Sequence, residues 1–109
     1  MRMKDGHYSM VFSADGHISD GRLDLEEGQA NGGDGSYRVV GRIAEAGNSL
    51  IGILEITLAP GMSPNAKIGE AFAVTMHGKS DAVGFTLIGA GPLGIIVELT
   101  CKYEGDAAP

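Results

Sequence analysis

The stretch Asn31 to Tyr37 (NGGDGSY), read with the alternation beyond it, decides the fold. A glycine-rich loop that opens a helix would cradle a phosphate, because backbone N–H groups and the helix dipole converge there on an anion. Here the loop opens a strand instead. Tyr37, Val39, Gly41 and Ile43 alternate with Arg38 and Arg42, the period-2 pattern of a half-buried strand. The loop therefore reads as a bend, with Gly32 and Gly33 expected to take positive φ and the Asp34 carboxylate to accept hydrogen bonds from nearby amides.

The same period recurs on both sides of this segment. Tyr8, Met10 and Phe12 alternate with His7, Ser9 and Ser13, and Gly21, Leu23 and Leu25 alternate with Arg22 and Asp24. Asp15-Gly16, Glu27-Gly28, Gly47-Asn48, Ser80-Asp81 and Gly91-Pro92 supply turns between the runs. Leu50 to Leu58 is nearly all apolar, which predicts a strand covered on both faces. Phe72, Val74 and Met76, then Phe85 and Leu87, then Ile95, Val97, Leu99, Cys101 and Tyr103 complete the set. The connector Ala59 to Gly69 has room for at most a short helical turn near Ser63. These runs predict seven strands, or eight if Gln29 to Gly32 stands apart. Strands in sequence joined by short turns make an antiparallel up-and-down sheet, and closure into a β-barrel removes its exposed edges; a sandwich is the alternative. The domain is expected over residues 1–103, with 104–109 a flexible tail.

The 109 residues suit a single domain, and the net charge of -6 argues against nucleic acid or an anionic membrane surface as partner. With no apolar segment suited to a signal peptide or a bilayer span, the expected location is the cytoplasm. The lone Cys101 fits a reducing compartment; on the side of Val97 and Leu99 it reads as a small buried hydrophobe. No catalytic, metal or cofactor site is expected. His7, His17 and His77 share no ligand spacing, His17 with Asp15 and Asp20 reads as a solvated hairpin, and Glu26 and Glu27 would face opposite ways on a strand. Val40, Ile51, Ile53, Ile88 and Ile96 fall on nominally outward positions, either as a homodimer interface or as a face covered by the 59–69 connector.

Lys4-Asp5-Gly6-His7-Tyr8 with Phe12, then Gly32-Gly33-Asp34 with Tyr37 and Gly41, resemble the pattern of the GrlR family, negative regulators of type III secretion genes. Phe72 to Gly78 and Phe85 to Gly89 resemble its second half. The resemblance implies a lipocalin-like barrel, paired as a dimer, that binds and inhibits a transcriptional activator without touching DNA. It also implies that an exposed hairpin turn, here Glu45-Ala46-Gly47-Asn48, meets that protein partner. The second function class is a carrier whose barrel holds an apolar small molecule such as a lipid or fatty acid.

Overall fold

The computed structural model describes residues 4–64 and 69–105. Eight strands succeed one another: β1 (Gly6–Ala14), β2 (His17–Glu26), β3 (Gln29–Gly33), β4 (Tyr37–Ala46), β5 (Ser49–Leu58), β6 (Ala71–Ser80), β7 (Gly84–Ala90) and β8 (Ile96–Gly105). Each pairs antiparallel with the next, and β8 returns to β1, so the sheet is a closed up-and-down barrel. The short run after the Glu27-Gly28 turn is a strand in its own right, β3. The last strand continues to Gly105, past the boundary expected at 103, while residues 106–109 lie outside the described residues. The helical turn expected near Ser63 is not formed at Ser63 or Pro64, and its continuation lies outside the described residues.

Alternation sets the inside of the barrel. Where β1 meets β8, Tyr8, Met10, Phe12 and Ala14 stand opposite Tyr103, Cys101, Leu99 and Val97, and all but Tyr103 are buried. Leu23, Leu25, Tyr37, Val39, Ile43, Leu54, Ile56, Val74, Met76, Phe85 and Leu87 join them in one cluster whose members are 0–3 % exposed. Burying each large member is worth roughly 1.5 to 3 kcal/mol. The outer face of β5, in contrast, is open, with Ile53 63 % exposed. The cover expected over it is absent among the described residues.

The bend after β3 works by a different device from the one expected. Positive φ falls at Gly35 (+92°), and neither Gly32 nor Gly33 takes it. Those two glycines are required by close approach instead. A Cβ on Gly32 would lie 1.9 Å from the Arg22 carbonyl oxygen, and one on Gly33 would lie 2.4 Å from that of Tyr37. The short β3 is drawn tightly between β2 and β4, so backbone occupies the space a side chain would need.

Candidate functional site

Antiparallel order sends the turns alternately to the two ends of the barrel. One end carries the β1–β2, β3–β4 and β7–β8 turns, and the other carries the β2–β3, β4–β5 and β6–β7 turns.

At the first end, the β3–β4 loop gathers His17, Ser19 and Asp34. The Asp34 side chain is 1 % exposed, with His17 Nε2 3.2 Å from its Oδ2. Ser19 donates a hydrogen bond to the same Oδ2. On the other side, the amides of Ser36 and Tyr37 donate to Oδ1 at 2.8 and 2.7 Å. Burial opposes the charge, but the bonds from Ser19, Tyr37, His17 and Ser36 outweigh it and hold the carboxyl below its ordinary value. His17 packs edge-on against Phe12 and Tyr37, with ring centroids at 5.8 and 5.9 Å. It is therefore not the solvated hairpin residue expected beside Asp15 and Asp20. Its inward strand position brings it under the aromatic layer, and its partner comes from a loop 17 residues away.

Ser, His and Asp in one cluster invite comparison with a catalytic triad, and the connectivity differs. A triad passes from serine to one imidazole nitrogen and from the other nitrogen to the carboxylate. Here serine and imidazole both reach the same carboxylate oxygen, with Ser19 Oγ 3.4 Å from His17 Nε2. The arrangement ties the β1–β2 hairpin to the β3–β4 loop through one buried anion, which makes it a clamp.

The opposite end is held by the opening segment of the chain. Asp5 Oδ1 accepts from the Glu27 amide at 3.0 Å, the Tyr8 hydroxyl donates to the Lys4 carbonyl at 2.5 Å, and Lys4 Nζ stands 5.2 Å from the Tyr103 ring centroid. The residues Lys4 to Tyr8 thus have packing roles at the β2–β3 turn and at the β1–β8 seam.

The residues expected to bind partners separate into two surfaces. In the β4–β5 hairpin, Glu45 stands opposite the buried Leu50, whereas Ala44 stands opposite Ile51. Glu45 therefore lies on the inner side of the sheet at the barrel rim. It borders an open depression of about 560 Å³ with Asp5, Leu25, Glu27 and Arg42. Ala46, Gly47 and Asn48 are exposed at the tip. Ile51 and Ile53 face outward, away from that rim. Ile51 stands opposite His77, and His77 opposite Ile88, so the three form a row across β5, β6 and β7. Ile96 pairs with Ala90 two residues further along β7, and Val40 lies diagonal to Ile53 because it faces Glu55. Four of these, Val40, Ile53, Ile88 and Ile96, are 39–63 % exposed, and Ile51 is half-buried. The five expected interface residues thus lie on one outer band over β4 to β8.

Cys101 is buried and its thiol is pushed up to about 12 by burial, which leaves no thiolate for chemistry at neutral pH. Among the described residues no group of three or more His, Cys, Asp or Glu side chains could hold a metal ion. The three histidines lie apart: His7 pairs with Asp24, His17 with Asp34, and His77 is on the outer band.

The chain is a closed, eight-stranded antiparallel β-barrel protein with an apolar core. It matches no protein-family model, and no curated protein is significantly similar to it.

Proposed function

We propose that this protein is a non-enzymatic regulatory binding protein that works through its outer surface, in the manner of negative regulators that sequester a transcriptional activator of type III secretion genes. One observation carries the reading: the core side chains are 0–3 % exposed. Exposure that low means that water does not reach them from inside, whereas a lumen holding a ligand would leave its lining accessible. A fatty-acid carrier needs such a lumen, so the packed interior favours an exterior function. The residues that resemble the GrlR pattern supply the kind of partner. The net charge of -6 supplies its sign, since an acidic surface speeds encounter with a basic protein.

In this reading the protein is cytoplasmic and a homodimer. Among the described residues no helix is long and apolar enough to cross a membrane. The β4–β5 turn, Glu45 to Asn48, meets the regulator, and the outer band of Val40, Ile51, Ile53, Ile88 and Ile96 meets the second copy. One exposed Glu45 contributes only about 0 to 1 kcal/mol when paired, so the regulator contact depends mainly on shape around the turn and little on salt. The test is calorimetric titration of a transcriptional activator of type III secretion genes from the same organism against wild type and Glu45→Lys. Weakened binding by the variant is the expected result. No binding of any such regulator, together with micromolar uptake of a fatty acid, would put the carrier reading in its place.

A further inference from the structure

The outer band has a titratable residue at its centre. His77 is exposed on β6, and its cross-strand neighbours are Ile51 on β5 and Ile88 on β7. We propose that a second copy of this chain packs over this face, burying His77 between isoleucines, and that assembly is therefore weakened by acid. This inference rests on the dimer reading above, with its interface on the outer band, and adds its regulation.

Two observations favour a second copy as occupant. The first is charge. A chain of net charge -6 repels its copy, and the two can meet only where like charge is sparse. The outer face of β2 exposes Asp20, Asp24 and Glu26 against Arg22 alone, whereas the outer face of β4 to β8 carries Glu55, Glu98 and Glu104 against Arg38, Arg42, Lys79 and Lys102. The second is size. In a closed ring of eight, β4 and β8 flank a face about three strands wide, and at about 4.8 Å per strand and some eight residues of about 3.4 Å its footprint is on the order of 400 Å². Side-chain relief with the flanking Val40 and Ile96 raises that toward the roughly 600 Å² per partner at the lower end of specific interfaces.

The sign of the pH effect comes from the surroundings of the imidazole. On its own strand Lys79 lies two residues away, about 7 Å, and opposes a second positive charge. Glu98 on β8 stands opposite Ile88, so it is two strand spacings from His77, roughly 10 Å, near the screening length at physiological salt. Glu55 on β5 and Arg42 on β4 lie further along the face. Strand β7 contributes Thr86 and Ile88, with no charge. Nothing close compensates an imidazolium once water is removed, so burial favours the neutral ring. Histidine is the side chain that ordinarily changes charge between pH 5 and 8, and one that is protonated in the free chain but buried neutral in both copies must release two protons per dimer. The dimer Kd should then rise about 100-fold from pH 7.5 to pH 5.5.

Sedimentation equilibrium of the full chain at pH 7.5 and 5.5 tests this, with circular dichroism verifying the fold at both. Wild type should dissociate on acidification, and His77→Gln should keep one Kd at both values. Ile53→Asp should weaken the dimer at both. A wild-type Kd unchanged by pH, or a shift that survives in His77→Gln, overturns the inference while leaving the dimer standing. A dimer untouched by Ile53→Asp shows that the copies meet elsewhere and overturns it also. A monomer at pH 7.5 and millimolar concentration ends the dimer reading itself.

Discussion

Asp34 shows how a polar residue comes to organise one end of an apolar barrel. Its carboxylate takes four hydrogen bonds from residues in two separate hairpins, so removing its charge loosens both. Because its folded-state value is depressed, its contribution is fully present above the ordinary carboxylate value. That contribution is lost as pH falls through the lower, folded value. Asp34→Asn should cost about 2 to 3 kcal/mol at neutral pH, and its melting temperature should fall less steeply below about pH 4 than that of wild type. Parallel acid limbs for the two proteins would remove the clamp from the account. Gly33 makes a second prediction at this scale. With a Cβ 2.4 Å from the Tyr37 carbonyl oxygen, even Gly33→Ala must push β3 from β4, at a cost on the order of 1 to 3 kcal/mol in thermal unfolding.

The elements were legible wherever inward positions are apolar. Tyr8, Met10 and Phe12, or Val97, Leu99 and Cys101, announce their strands and faces directly, and Asp15-Gly16 announces its turn. Both of those turn residues take positive φ, +47° and +84°, as a two-residue hairpin requires. The opening of β2 was not legible, because its inward residues there are His17 and Ser19. Those types read as solvent-facing until Asp34 arrives from another loop to satisfy them, a pairing that local spacing does not encode. The β4–β5 hairpin gives the complementary lesson. Glu45 and Ile51 are six residues apart on a single hairpin yet face opposite sides of the sheet, which side-chain parity dictates once the turn length is known. Glu45→Lys should therefore leave self-association unchanged while altering regulator binding, and Ile51→Asp should do the reverse. A variant that changes both measurements would mean one continuous surface wraps the hairpin edge.

At the scale of the whole molecule, the packed interior governs stability. Truncating a central residue such as Leu87, 0 % exposed, leaves a void that a closed sheet has little freedom to collapse around. Leu87→Ala should lower stability by about 2 to 5 kcal/mol in urea unfolding. A loss below about 1 kcal/mol, outside the usual range for such a truncation, would reveal slack inside the barrel and revive a ligand-holding role.

Closure through β1 and β8 also has a consequence for how the protein is made. The strand synthesised first needs the strand synthesised last as its neighbour, with Tyr8 opposite Tyr103 and Phe12 opposite Leu99. Until β8 has left the ribosome, β1 and β7 both offer an unpaired edge. At the usual 5 to 20 residues per second, the roughly ninety residues from β1 to β8 take on the order of 5 to 20 s to make, and β1 waits that long for its second neighbour. The nascent chain thus passes through an interval in which the edge of β1 that β8 later covers is open to pairing with another chain.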